Sequence, residues 1–242
     1  MIKVQNLSKS FGKKQVLRDL SFTVYDGEVY GLLGQNSSGK TTTLRILSTL
    51  LKPTSGTGSI EGYDILKDPL FVRKSLGFLP EEAGLYDRLT PRETLTYYGK
   101  LHNLNGGELV DRVDFLISLL RLEEFANVKC SKLSKGTKQK VSIARCLVHN
   151  PPVLLLDELT SNIDTITAFN IKTIILDKLK RTHTIIISTH NMFEAERICD
   201  RAGLIYGGEI FVEGSIEELK DKFGEDTLEK VYIKVYSHQN DG

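Results

Sequence analysis

The chain of 242 residues is 40% hydrophobic and 26% charged, a composition typical of a folded globular protein and not of a disordered or fibrous one. Its 32 basic and 31 acidic residues leave a formal net charge of +1, which argues against nucleic acid as a partner. Its three cysteines are far apart and form no C-x-x-C pair, so they predict neither a zinc site nor a disulfide framework, and a reducing compartment is expected.

The first sixty residues alternate short strands with turns. The segment from Met1 to Asn6 alternates apolar and polar residues, as a strand does and a signal peptide does not. Further strands are predicted at 21–25, 28–33 and 59–61. A helix is predicted from about Lys40 to Leu51, because Lys52-Pro53 follows. This part of the chain is expected to include an antiparallel β subdomain.

The middle of the chain has the pattern of helices. Thr90, Pro91 and Glu93 stand in the order of an N-cap, a first-turn proline and a capping-box glutamate. Apolar residues recur on one helical face between 109 and 120. An inserted α-helical subdomain is therefore predicted over about 85–150.

Buried strands return after the insert. Apolar runs at 153–156 and 184–188 each precede a helix-like segment, and both are too short to cross a bilayer. Residues 204–212 favour a hairpin, and Ser215 is expected to cap a short helix. Helices that alternate with buried strands predict an α/β fold with a mostly parallel sheet flanked by helices.

A glycine-containing segment at 34–42 carries the strongest functional signal. It fits glycine, four residues, then Gly-Lys-Thr, and its residues are Gly34, Gln35, Asn36, Ser37, Ser38, Gly39, Lys40, Thr41 and Thr42. A strand-like run precedes it and a helix-like run follows, so its N–H groups can bind a phosphate at the helix start. Lys40 can reach the β- and γ-phosphates, and the Thr41 hydroxyl can ligate Mg²⁺. The segment predicts a P-loop NTPase core.

Two carboxylates follow the apolar run at 153–156. Asp157 and Glu158 are expected at the carboxyl edge of the parallel sheet, where such sheets bind ligands. Asp157 can hold Mg²⁺ directly or through water, and Glu158 can polarise an attacking water. Alone, the pair is as consistent with a strand that simply leaves the core, and the phosphate loop upstream favours the catalytic interpretation.

A third segment, Leu133 to Gln139, lies shortly before the acid pair. Ser134 is a candidate N-cap for the helix that follows, with Gly136 in its first turn. The N–H groups and dipole of such a helix start can bind a phosphate. Alone, the segment would be an ordinary capped helix.

In combination these segments resemble the nucleotide-binding subunit of ATP-binding cassette (ABC) transporters, over nearly the whole chain and in the family's order. Further segments are similar to the family's Q-loop at 77–82, its signature at 133–139, its D-loop at 161–164 and its switch at 188–190. Residues 79–86 and 226–232 are similar to the branch that serves ABC-2-type exporters. The resemblance implies a single ABC ATPase domain over 1–230, followed by a short C-terminal tail over 231–242.

The resemblance implies ATP and Mg²⁺ as cofactors and assigns roles to residues. Besides the phosphate loop, the implied nucleotide contacts are Phe11, Val16, Ser134, Gly136 and Asp164, with Phe11 stacking on adenine unless it belongs to the core. Glu158 and His190 would be catalytic, and Thr41, Glu81 and Asp157 would hold the metal. The other histidines, at 102, 149, 183 and 238, are expected at the surface.

Two departures from the family pattern leave the rate of turnover open. Glu81 stands where a glutamine is usual, and it can still ligate Mg²⁺ but adds a charge. Lys135 replaces the first signature glycine, and its ammonium could help or crowd a γ-phosphate.

The expected function is ATP hydrolysis by a peripheral subunit at the cytoplasmic face of the cell membrane. Two such subunits, identical or homologous, would close on two ATP molecules and power translocation, with export favoured, by a separate polytopic permease. A soluble ABC ATPase in assembly or regulation, and a nucleotide-sensing module with weak turnover, are the alternatives.

Overall fold

Two sheets and the helices around them make up the fold. A computed structural model describes residues 1–82, 84–161, 163–180 and 182–240, with side chains as far as residue 237. The strands are β1 (Ile2–Phe11), β2 (Lys14–Val24), β3 (Val29–Leu33), β4 (Ser55–Ile60), β5 (Tyr63–Asp64), β6 (Leu76–Leu79), β7 (Val153–Asp157), β8 (Thr184–Thr189), β9 (Arg201–Tyr206) and β10 (Glu209–Ser215). The helices are α1 (Lys40–Leu47), α2 (Pro69–Ser75), α3 (Pro91–Leu101), α4 (Gly106–Leu119), α5 (Lys135–Leu147), α6 (Thr165–Ile174), α7 (Met192–Ile198), α8 (Ile216–Phe223) and α9 (Leu228–Asn240).

The larger sheet has the order β10-β9-β3-β8-β7-β6, and only β10 runs antiparallel to its neighbour. Strands β3, β7 and β8 are buried along their whole lengths, which explains their uninterrupted apolar runs. The second sheet, β2-β1-β4-β5, is antiparallel. The predicted fold class is confirmed: a mostly parallel core, an N-terminal antiparallel sheet, and helices α3 to α5 inserted between β6 and β7.

Helix α1 is shorter than predicted. It ends at Leu47, because Thr49 adopts a left-handed φ of 62° that an α-helix does not accommodate. The N–H groups of both Leu50 and Leu51 then bond the carbonyl of Arg45, which closes the last turn. The pattern of apolar residues continued past the point where the backbone turns.

The C-terminal segment is a helix that belongs to the core. Leu228, Val231 and Val235 of α9 are buried in the cluster that also holds residues of α7 and α8. Their spacing of three and four residues places them on one helical face. The division predicted at residue 231 therefore falls inside this helix.

Two of the histidines expected at the surface are largely covered. His183 is 8% exposed, and the ring of His149 stacks on that of His102 with 3.7 Å between centroids. Burial lowers the pKa of His102, His149 and His183, to about 4 for His149. The side chain of His238 lies outside the described ones.

Nothing among the helices of the described residues combines the length and the apolar character needed to cross a membrane.

Candidate active site

The phosphate loop joins the end of β3 to the start of α1. Gly39 has a φ of 112°, and a Cβ there would lie 2.5 Å from Cδ2 of Leu17. A Cβ on Gly34 would lie 2.4 Å from the carbonyl oxygen of Ile205. Both positions therefore require glycine. Helix α1 begins without a side-chain cap, which leaves N–H groups of its first turn available to an anion.

The Lys40 side chain lies across this loop and is 5% exposed. Its Nζ donates to the carbonyl oxygens of Gly34 at 2.9 Å and Gln35 at 3.0 Å, and lies 3.9 Å from Oε1 of Glu158. Burial lowers the pKa of Lys40, and the charges of Glu158, Asp157 and Glu81 oppose that shift. The ammonium is thus held by weakly basic carbonyls that a phosphate can replace.

Asp157, at the end of β7, is fully buried, and only one of its two carboxylate oxygens accepts hydrogen bonds. Its Oδ1 accepts hydrogen bonds from Oγ1 of Thr41 at 3.2 Å and from Oγ of Ser188. Its Oδ2 has no hydrogen-bond partner within the described chain. Burial raises the pKa of this carboxyl. A buried carboxylate oxygen without a partner is costly, and beside a threonine hydroxyl it fits a hard cation such as Mg²⁺.

Glu158 follows in a strained backbone conformation. Its φ is 49°, unusual for a residue other than glycine, and such strain concentrates at functional sites. Its Oε1 lies 2.9 Å from Nδ1 of His190, and its Oε2 accepts from Oγ of Ser161 at 2.7 Å. Glu158 is 7% exposed, whereas the His190 side chain is 52% exposed. The buried carboxylate is therefore held between a lysine, a serine and an exposed imidazole.

Two adjoining cavities are lined by Lys40, Glu158 and His190, whereas Asp157 lines neither and contacts the first only through Thr41. The first, of about 390 Å³, is lined by Lys14, Val16, Asn36, Ser37, Gly39, Lys40, Thr41, Thr42, Glu81 and Glu158. The second, of about 450 Å³, is lined by Asn36, Glu81, Glu158, Thr160, Ser161, Thr189, His190, Asn191 and Glu194. Asn36, Glu81 and Glu158 line both, so the two cavities form one continuous polar site at the carboxyl edge of the sheet.

Phe11 lies beside this site without lining either cavity. Its side chain is 50% exposed, and Nζ of Lys9 lies 4.9 Å from the centroid of its ring. The β1–β2 register pairs Phe11 with Lys14, which does line the first cavity. The aromatic ring is therefore not part of the core.

Three predicted nucleotide contacts lie elsewhere, at the adjacent starts of α5 and α6. Oγ of Ser134 accepts from the N–H of Thr137 at 3.2 Å, and Oδ1 of Asp164 accepts from that of Thr167 at 2.9 Å. A Cβ on Gly136 would lie 2.9 Å from Cγ2 of Thr167. Ser134, Gly136 and Asp164 line neither cavity. Asn162, in the segment similar to the D-loop, lies outside the described residues.

The sequence assigned no individual role to several residues of the site, although Ser161 and Ser188 lie in the segments similar to the D-loop and the switch. Ser188 is opposite Asp157 in the register of β7 and β8, and Lys14 enters the first cavity from β2. Thr160 and Ser161 line the second cavity. A polar residue at the end of an apolar strand was the available signal for Ser188, but its partner depends on a strand register that the sequence does not specify.

Comparisons with known proteins point to one family. The family model described as "ABC transporter" matches residues 17–161. The chain is 38% identical to the "ABC transporter ATP-binding protein NatA" of Bacillus subtilis (strain 168), over 96% of this chain and 97% of that protein. It is 34% identical to the "Linearmycin resistance ATP-binding protein LnrL" of the same organism, over 94% of this chain and 73% of that protein.

The solved structures that this chain resembles belong to the same family as its sequence relatives. One described as "Structure of ATP binding subunit of ABC transporter" superposes with a TM-score of 0.89 at 29% identity, covering 98% of this chain and 99% of that one. A "Dimeric structure of a post-hydrolysis state of the ATP-binding cassette MJ0796 bound to ADP and Pi" has a TM-score of 0.79 at 27% identity, covering 89% of this chain and 98% of that one.

Proposed function

This chain belongs to the ABC transporter family as an ATP-binding and ATP-hydrolysing subunit, and we propose that it powers export through a separate membrane permease. The single observation that carries the proposal is the convergence of Lys40, Glu158 and His190 on one polar site at the carboxyl edge of the sheet, with the buried Asp157 bonded to Thr41 of the same site. The following assignments of residues are part of the proposal.

The first cavity would hold the nucleotide. The N–H groups of the phosphate loop would bind its phosphates, and Lys40 would exchange its two carbonyl partners for phosphate oxygens. Val16 lines the cavity from β2 and offers an apolar surface to the base. Phe11, exposed beside Lys14, is the proposed stacking partner of adenine.

Thr41, Asp157 and Glu81 would hold Mg²⁺. The free Oδ2 of Asp157 and the Thr41 hydroxyl supply two hard oxygen donors, and Glu81 lines the same cavity. The described residues contain no set of three His, Cys, Asp or Glu side chains that could hold a metal, so the nucleotide phosphates would supply the remaining ligands. When bound, Mg²⁺ would neutralise charge on the transferred phosphate.

Glu158 would orient and polarise the attacking water, and His190 would bind the γ-phosphate side of the site. The bond between Nδ1 of His190 and Oε1 of Glu158 fixes the two side chains relative to each other. The bond from Ser161 holds the second carboxylate oxygen of Glu158 and so restricts the direction in which it can accept a proton.

A second subunit, identical or homologous, would complete each site. Ser134, Gly136 and Asp164 line neither cavity of their own chain, so they would contact the nucleotide of a partner. The dimeric cassette structure supports this arrangement by similarity. The helical insert and the Glu81 segment would transmit closure to the permease.

We base the proposed direction, export, and the proposed peripheral position at the cytoplasmic face of the membrane on the similarity of this chain to its relatives. The similarity to the transporter ATPase NatA and the resistance protein LnrL favours an exporter, as do the segments at 79–86 and 226–232. No nucleic-acid role is proposed, because the net charge is +1.

Two measurements test the proposal. The chain is co-expressed with a polytopic membrane protein chosen from the genes adjacent to its own, and co-purification together with Mg²⁺-dependent phosphate release is expected. Turnover without an associated membrane protein would favour the soluble ABC ATPase. Tight ATP binding with negligible turnover, in the presence of the membrane protein, would favour the nucleotide-sensing module.

A further inference from the structure

A cavity of about 540 Å³ opens at the edge of the sheet opposite the nucleotide site. It lies between α4 of the helical insert, the turn that precedes β7, and the π-helical turn Ile175–Leu179 that continues α6 and precedes β8. Its apolar lining consists of Phe115, Leu116, Leu119, Leu147, Pro151, Pro152 and Leu179. Its size and lining are those of a small-molecule site.

Two cations, the half-buried Arg112 and the exposed Lys178, line this cavity without counter-ions. Arg112 and Lys178 line the cavity, no carboxylate lines it, and neither cation has a carboxylate partner within 4.0 Å among the residues whose side chains are described. Burial without a compensating charge lowers the pKa of Arg112. Arg112 donates to neutral oxygens only, so its half-buried positive charge is not compensated, and this favours the binding of an anion.

The guanidinium of Arg112 is held in place by the protein and keeps donors free. Its Nε donates to the Val148 carbonyl at 3.1 Å, and Nη2 donates to the Leu147 carbonyl and to Oδ1 of Asn150 at 3.2 Å. Nη1 makes no hydrogen bond to the described residues, and the group lies 5.3 Å from the ring of Phe115. A cation with fixed orientation and a free edge is pre-organised to bind a carboxylate or sulfonate.

We propose that this cavity binds an apolar organic anion of the medium-chain carboxylate type. The acid group would bind Arg112 and Lys178, and the apolar body would contact Leu119, Leu147 and Leu179. Polar groups of Asn150, Thr182 and His183 complete the lining. Because its walls come from both the insert and the sheet core, the bound anion contacts both parts of the chain.

The competing location for an anion is a second groove, which makes a matched control possible. That groove lies beside β6 and is lined by Arg45, Arg73, Arg145, His102 and His149 among others. Arg73 is exposed there, as Lys178 is in the first cavity. Charge reversal at each residue separates the two locations.

The test uses 8-anilinonaphthalene-1-sulfonate fluorescence on the full chain. We expect one saturable site from which decanoate displaces the dye, decanol displaces it much less, and ATP does not displace it. Lys178→Glu should lower the affinity for the dye by about tenfold, the size of a lost charge-assisted contact. Arg73→Glu should lower it by less than about twofold. Leu119→Trp fills the cavity and should abolish the saturable component, with circular dichroism confirming that the variant is folded.

Three results would overturn the proposal. One is equal affinity of the parent and Lys178→Glu for the dye. Another is a loss with Arg73→Glu as large as that with Lys178→Glu, which would assign the anion to the second groove. The third is unchanged binding in folded Leu119→Trp. Each readout is independent of ATP turnover, so a failure here is distinguishable from a failure of the proposed ATPase site.

Discussion

The starts of helices α1 and α5 are both glycine-containing and both predicted phosphate sites, yet they are built differently. At α1 no side chain caps the helix, and Lys40 lies buried over the loop with carbonyls as its partners. At α5 Ser134 caps its own helix by accepting from the N–H of Thr137, and Lys135 is exposed. The first helix start is open to an anion, whereas the second satisfies one of its own donors.

This difference indicates that the two helix starts bind phosphate in different ways, one within its own chain and one across a subunit interface. An uncapped helix start costs stability unless a ligand binds there, so α1 is arranged for binding within the same chain. The capped start of α5 is stable alone, and a phosphate brought to it by another subunit would meet Ser134 as an additional hydroxyl. Removing charges at each end should therefore have very unequal effects.

Lys40→Ala should have the largest effect. The phosphates lose their main cation, so ATP binding should weaken and hydrolysis should fall by about a thousandfold. Isothermal titration with ATP and a phosphate-release assay measure the two effects, with Lys3→Ala on the exposed β1 surface as control. Near-parental turnover would refute the role of the α1 start.

Glu158→Gln should separate binding from chemistry. The amide keeps the shape and a hydrogen bond to Ser161 but cannot accept the water's proton, so hydrolysis should fall by about a hundredfold or more. ATP should still bind, and the two subunits should remain associated. Light scattering with and without Mg-ATP detects the dimer, and Glu82→Gln is the control. A variant that stays monomeric with ATP would contradict the pairing of the α1 and α5 starts across two chains.

Lys135→Gly probes the α5 start directly. If its ammonium approaches a γ-phosphate on the partner, hydrolysis should fall by about threefold, as for an exposed charge pair, and the parent should be more sensitive to salt than the variant. Lys138 is a poor control because it lies 3.7 Å from Asp87, so the exposed Lys132→Gly is preferable. Equal rates at low and high salt would mean that Lys135 points to solvent, and a faster variant would mean that it obstructs.

The smallest of these effects should be the change in stability that Asp157→Asn causes in the ligand-free chain. Burial raises the pKa of Asp157, so the folded chain holds this proton more tightly than the unfolded chain does. The stability of the chain therefore falls as the pH rises from the unfolded pKa of Asp157 through its higher folded pKa. At neutral pH the ionised carboxylate destabilises the ligand-free chain. The melting temperature of the variant should therefore be higher than that of the parent.

Scanning calorimetry in the presence of a chelator checks this expectation. The difference between Asp157→Asn and the parent should shrink as the pH falls below the raised pKa, because the parent's carboxyl is then also neutral. A lower melting temperature for the variant at neutral pH would show that the carboxylate stabilises the fold instead of serving a ligand.

Local sequence patterns predicted the parts of the fold that depend on neighbouring residues. The capping boxes at Thr90 and Ser215 are present, the cap at Ser134 is present, and the hairpin of β9 and β10 forms. The phosphate loop also joins a strand to a helix as its flanking runs indicated. Each of these rests on chemistry within a few residues.

The parts that were not predicted depend on contacts distant in sequence. The pairing of β6 with β7 joins segments more than 70 residues apart, and it places Glu81 beside the nucleotide cavity, a position that the family resemblance implied but periodicity did not. Ser188 reaches Asp157 only because β7 and β8 pair in that register. The burial of His183 likewise follows from tertiary packing and not from its neighbours. Composition and periodicity do not contain that information.

The three buried cysteines give the chain built-in reporters of local opening. Cys130 lies in the insert, Cys146 on α5 donates its thiol to the Phe78 carbonyl of β6 at 3.1 Å, and Cys199 lies at the end of α7. Burial raises the pKa of each thiol, to about 11 for Cys146, so each is unreactive while covered. The rate at which a thiol reagent modifies each cysteine therefore measures how often its region opens: the insert for Cys130, the contact between α5 and β6 for Cys146, and the core beside α7 for Cys199.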